Sequence, residues 1–106
     1  MDIKQIKVIV IQLRKLLLQN NIKPDLFILY GSYAQGNQTD ESDIDIACVS
    51  RDFGKNRFKE GSLLNYLISK IDAKIELVPI GLEEYLSGKS ISPILNEIIK
   101  NGTPLL

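Results

Sequence analysis

The chain has no histidine and no tryptophan, and a single cysteine. Without imidazole it can build neither histidine metal sites nor histidine acid–base catalysis. One thiol, Cys48, excludes an internal disulfide and thiolate metal clusters. Net charge is missing as well, because thirteen basic and thirteen acidic side chains cancel. With no global positive field, the chain makes no strong case for direct nucleic acid binding, although a local basic patch stays open. No apolar run reaches the roughly 18 residues that a membrane span needs. Lys4 and Lys7 follow Met1-Asp2 closely, which is no secretory pattern. The expectation is a cytoplasmic protein with no membrane segment.

What is present suits a small globular protein. Hydrophobic residues make up 44% of the 106 positions and charged residues 25%, ordinary values for one packed domain. A chain of this length buries roughly 60–70% of its unfolded surface, enough for one core without staples. Residues 1–106 are therefore read as a single domain, with no internal repeat or linker.

Periodicity lays out the elements. Ile6, Ile9, Leu13, Leu16 and Leu17 recur at steps of three and four and predict a helix over 3–20, although Val8 to Ile11 is apolar all round. Pro24 blocks its continuation. Residues 25–30 read as a strand, apolar on both faces and hence central. A Gly31 turn, a polar loop over 37–42 and a second strand over 43–50 follow. The stretch 51–59 carries Arg51, Lys55, Arg57 and Lys59 and is either a solvated connector or a basic rim for phosphates or an acidic partner. A second amphipathic helix is expected over 60–71, a third strand over 73–80 and a short helical piece over 82–86. Ser92-Pro93 has the cap and first-turn chemistry of a last helix, stopped by Asn101-Gly102. Residues 103–106 would add a short edge strand.

Two stretches carry chemistry. In the second strand, acids alternate with apolar residues as Asp43-Ile44-Asp45-Ile46. The two-residue period puts both carboxylates on one face, about 6.6 Å apart along the strand. Like charges so placed repel, which raises the cost of ionising both, and a divalent cation reverses that cost. Ten residues upstream, Gly31-Ser32 ends the first strand. Glycine lets backbone approach a ligand closely. A short helix opening over 32–35 would offer free N–H groups to phosphate, with the Ser32 hydroxyl beside them. Together they point to metal-assisted chemistry on a nucleotide polyphosphate. Glu76 sits mid-strand and faces water if the sheet is half covered. Were it beside Asp43 and Asp45, it would be a third carboxylate. Cys48, on the apolar side of the same strand, is read as core.

Gly31-Ser32, ten residues, then Asp43-x-Asp45 resembles the signature of the polymerase-β-like nucleotidyltransferases, and the short chain resembles their minimal branch. The resemblance covers most of the chain. It implies an α/β (α+β) fold, a mixed β-sheet with helices packed on one face and the acids directed into an open cleft on the other. It implies that Asp43, Asp45 and Glu76 are catalytic and hold Mg²⁺, two ions being expected. Gly31, Ser32 and Gln35 would contact the nucleotide, ATP. Ser42, just before the acids, is either a further nucleotide contact or a cap on the loop.

Two positions depart from the family pattern. Glutamate stands at 76 where aspartate is usual, and Gln35 replaces a common arginine or lysine. Losing that cation would weaken nucleotide binding by about 1–2 kcal/mol unless Arg51, Lys55 or Arg57 compensates. Members of this branch are often antitoxins of HEPN-domain toxins, so a cognate HEPN toxin is the partner the resemblance implies, with AMP passing from ATP to one of its tyrosines. No second domain is expected to hold an acceptor, so another chain or a homo-oligomer would bring it. The alternative is a weakened member that neutralises its partner by contact.

Overall fold

The computed structural model describes residues 1–72, 74–88 and 92–105. The elements run α1 (Ile3–Gln19), β1 (Leu26–Tyr30), α2 (Gly31–Gln35), β2 (Ile44–Ser50), α3 (Arg57–Ser69), β3 (Ile75–Gly81), α4 (Leu82–Ser87), α5 (Pro93–Asn101) and β4 (Thr103–Pro104). The strands form one mixed sheet in the order β3-β2-β1-β4. β2 pairs antiparallel with β1 and parallel with β3, and β4 adds an antiparallel edge to β1. The expected starts and ends at Ala73 and Leu106 lie outside the described residues.

The three longer helices, α1, α3 and α5, begin where their sequence provides a side-chain cap. Asp2 accepts the Gln5 N–H while the Gln5 side chain accepts the Asp2 N–H, a reciprocal capping box on α1. Ser92 caps α5 with Pro93 in its first turn. The expected start of α3 at Glu60 needs correction, because the helix begins at Arg57. Asn56 is its cap and accepts the Lys59 N–H, and the Glu60 carboxylate turns back to accept the N–H groups of Gly54, Lys55 and Asn56. Burial works against that charge. The backbone donors of Gly54, Asn56 and Lys55, with Arg57 nearby, outweigh it and hold the Glu60 carboxyl below its usual range. Part of the basic stretch is thus the first turn of a helix.

The sheet separates two apolar clusters. On one face, Ile6, Val10, Leu13 and Leu17 of α1 and Leu64, Leu67 and Ile68 of α3 pack on Phe27, Leu29, Ile44, Ile46, Cys48, Ile75 and Leu77. The two long helices therefore share one face, as expected. The other face is not bare. Leu95 and Ile98 of α5 pack there on Ile28, Tyr30, Ala47, Val49 and Ile80, with Leu82 and Tyr85 of α4 alongside. The expected open cleft is thereby narrowed to the part of this face that α5 leaves uncovered. Cys48 is fully buried, and burial, then the nearby Asp25, pushes its thiol well above the usual range, so it is a core residue and not a reactive thiol.

Candidate active site

β2 begins beside the bend that ends β1, because the two strands are antiparallel neighbours. Their register sets Tyr30 opposite Asp45, and β3 sets Glu76 opposite Asp45 on the other side. Tyr30, Asp45 and Glu76 thus form a row across three strands. Side chains of partnered residues share a face, and in this row it is the face carrying α5. Exposure alternates along 43–46, with Asp43 exposed, Ile44 buried, Asp45 half-buried and Ile46 buried, the period of a strand with one wet face.

Gly31 closes the site from the side of the bend. Its φ is +71°, a left-handed conformation that side chains rarely adopt. A Cβ built there would lie 2.5 Å from Asp45 Oδ2, inside any real contact distance. Glycine at 31 therefore serves both the turn and the approach of the carboxylate. Ser32 follows on α2, half-buried, and its carbonyl accepts the N–H groups of Gly36 and Asn37. Gln35 is exposed, and its Oε1 accepts a hydrogen bond of 3.3 Å from Asn37. Ser42 is engaged within its loop: its hydroxyl accepts the Thr39 N–H at 2.9 Å and lies 3.2 Å from the Thr39 hydroxyl. In this arrangement it braces the loop that leads into the acids.

The electrostatics are those of crowded negative charge. The Asp45 carboxyl lies above its ordinary pKa, first through burial, then through Glu76, Asp43 and Glu97. The Tyr30 phenol is pushed up by burial, then by Asp45, Glu76 and Glu97. Glu97 was not among the candidate residues of the sequence. It lies half-buried on α5, which packs beside α2 as well as on the sheet. Only the placement of α5 brings it here. Leu95 and Ile98 fix which side of α5 meets the sheet, but not which strand end it reaches.

Among the described residues, no three carboxylate or thiol side chains stand close enough together to enclose a metal ion. Asp43, Asp45 and Glu76 instead line an open face. That donor set still fits Mg²⁺ by its chemistry. All the ligands are hard oxygens, and Mg²⁺ is commonly held by one or two carboxylates plus substrate phosphates, without a closed protein cage. The Asp45 carboxylate occupies the space that a side chain at residue 31 would fill, which sets it directly against the backbone of the bend.

The basic stretch is not at this site. Arg51 follows the far end of β2, six residues beyond Asp45, hence roughly 20 Å away along the strand. Arg51, Lys55 and Arg57 line a groove of about 770 Å³ there, with Phe53, Leu82 and Glu84. Arg51 pairs with Asp25 at 3.4 Å, and Arg57 pairs with Glu84. Whether these cations compensate for Gln35 is open in the sequence; in the fold they line a groove at the opposite end of β2 from Asp45.

The family model described as polymerase beta, nucleotidyltransferase, matches residues 12–106. The chain belongs to this family. Among its relatives, the protein adenylyltransferase MntA of Shewanella oneidensis is 41% identical over 66 residues, which cover 62% of this chain and 47% of that protein. The chain thus spans about half the length of this curated relative. Among solved structures, a toxin–antitoxin with AMP-PNP matches with a TM-score of 0.60 and 31% identity, covering 94% of this chain and 72% of the other. Another, a tri-AMPylated Shewanella oneidensis HEPN toxin in complex with an MNT antitoxin, matches with a TM-score of 0.54 and 27% identity, covering 99% and 72%. The polymerase-β-type nucleotidyltransferase fold, a mixed four-stranded sheet with helices, is therefore that of this chain.

Proposed function

We propose that the chain is an adenylyltransferase that moves AMP from ATP to a hydroxyl, a tyrosine of a HEPN-type toxin with which it pairs as antitoxin. The observation that carries this reading is the seating of Asp45 against Gly31, with Glu76 as its register partner. It sets acids beside a glycine bend where a triphosphate can lie. Kinship to proteins named for adenylyl transfer and for toxin–antitoxin pairing supports the choice of acceptor.

Asp43 and Asp45 would hold Mg²⁺ together with the phosphates of the nucleotide, with Glu76 on the same open face beside them. The ion supplies charge neutralisation for a polyphosphate that the bare acids would repel. Gly31 keeps the bend free of side-chain bulk so that phosphate can approach, and the Ser32 hydroxyl donates a hydrogen bond to it. Glu76, exposed at the rim, accepts the proton of the attacking hydroxyl. That hydroxyl bonds to the α-phosphorus and the bond to pyrophosphate breaks in line. Tyr30 and α5 form the wall behind Asp45.

A second reading has specific support in the exposed, uncharged Gln35. In it the chain keeps the fold and neutralises its partner by contact. The two part in one experiment. The chain and the protein that co-purifies with it are incubated with Mg²⁺ and ATP, and the partner is mapped by mass spectrometry. One added AMP on a tyrosine, lost in Asp45→Asn, supports transfer. An unmodified partner that Asp45→Asn still neutralises supports the contact reading.

A further inference from the structure

α1 carries two seams. The inner one, Ile6, Val10, Leu13 and Leu17, is buried on the sheet. The outer one, Lys4, Val8, Ile11, Lys15 and Leu18, repeats at alternating steps of four and three, the spacing of a coiled-coil seam. Its apolar members are open to solvent, with Val8 55%, Ile11 47% and Leu18 49% exposed. The seam runs about 21 Å along the helix. Its flanks are unlike. Lys7 and Arg14 lie along one side, and Gln5, Gln12 and Gln19 along the other. No acid occurs anywhere in Ile3–Gln19. Apolar side chains at such spacing on a wet face are what a helix presents to another helix.

From this pattern we infer that the outer face of α1 docks an acidic amphipathic helix of another chain. The charges select that occupant. A second copy of this chain would bring Lys4, Lys15, Lys7 and Arg14 against the same four cations, and like charges set together on a seam oppose pairing. A helix with apolar residues at its seam and glutamates on its flanks would cover Val8, Ile11 and Leu18 and meet Lys7 and Arg14 with opposite charge. A nucleic acid backbone would satisfy the cations but leave the aliphatic side chains uncovered. The face lies on the α1–α3 side of the sheet, opposite the acids, so docking there leaves the candidate active site free. The inference stands whether or not that site transfers AMP.

The test uses the full chain and two synthetic three-heptad helices with leucine and isoleucine at their seams, one flanked by glutamate and one by lysine. Fluorescence anisotropy at low salt reads binding. The chain binds the glutamate-flanked helix and not the lysine-flanked one, and added salt weakens it. Ile11→Ser loosens the complex by about tenfold or more. The double variant Lys7→Glu/Arg14→Glu reverses the preference and takes up the lysine-flanked helix. Circular dichroism melts that match the parent show that these exposed changes leave the fold intact. Equal binding of both helices, or of neither, overturns the inference. So does self-association that Ile11→Ser abolishes, or retention of an RNA oligonucleotide with an affinity that Ile11→Ser leaves unchanged.

Discussion

A methyl group on Gly31 would stand 2.5 Å from Asp45 Oδ2, so the bend and the acid strand cannot be altered independently. Gly31→Ala adds two costs. The φ of +71° is left-handed, which costs a side chain about 1–2 kcal/mol, and the methyl displaces the carboxylate. Gly31→Ala is expected to lose at least that stability in a denaturant titration. Its nucleotidyl transfer is expected below about 1% of the parent, the scale of losing one aligned polar group in an active site.

Asp45 works against folding. Its raised pKa means that the folded state holds the charged form at a cost, through burial and then through Glu76, Asp43 and Glu97. The sign follows from linkage: above the ordinary carboxylate range the unfolded chain loses this proton more readily than the folded one. Asp45→Asn is therefore expected to melt at a higher temperature than the parent near neutral pH. The gap closes as the pH falls through the folded pKa and Asp45 takes up its proton. Thermal melts over a pH series read this directly, and the same variant is expected to lose transfer. A variant that gains stability while losing activity marks Asp45 as held for chemistry.

Glu60 has the opposite sign. Its carboxylate accepts from Gly54, Lys55 and Asn56 and lies below its ordinary range despite burial. Its contribution is present above the unfolded pKa and is lost as the pH falls through the lower, folded one. Glu60→Gln is expected to cost about 1 kcal/mol at neutral pH, the scale of a lost cap. The difference from the parent vanishes in acid. Chemical denaturation at neutral and acid pH checks it.

Gln35 is exposed on α2, while Arg51, Lys55 and Arg57 line the groove at the opposite end of β2 from Asp45. Gln35→Arg would supply a charge-assisted hydrogen bond to phosphate. It is expected to tighten the binding of Mg-ATP about tenfold, read by calorimetry, and to leave the melting temperature nearly unchanged.

Much of this could be read from residue order. The two-residue alternation of Asp43 to Ile46 and the Gly-Ser break after Tyr30 located the acids and the bend. Pairing could not be read in the same way, because the connection between β1 and β2 is long enough for either direction. The start of α3 was hidden because Asn56 and Glu60 lie in a basic, glycine-containing run that resembles a loop, and a cap is recognised only once the helix it starts is known. α5 was visible as a helix from Ser92-Pro93, but nothing local says which sheet face it covers, so Glu97 went unseen. The distance of Arg51 from Asp45, by contrast, was available from strand rise alone. Six residues of extended chain cannot return to their own beginning.

If Asp43, Asp45 and Glu76 serve attack on the α-phosphorus of a nucleotide seated by the Gly31 bend, the position of the transferred phosphate decides the matter. The most direct measurement gives the chain and the HEPN-type toxin proposed as its partner ATP labelled at either the α- or the γ-phosphate, with Mg²⁺, and follows label on the toxin. Transfer is expected from the α-labelled nucleotide alone and is abolished by Asp45→Asn. Label arriving from the γ-position, or α-label transfer undiminished in Asp45→Asn, would contradict that reading.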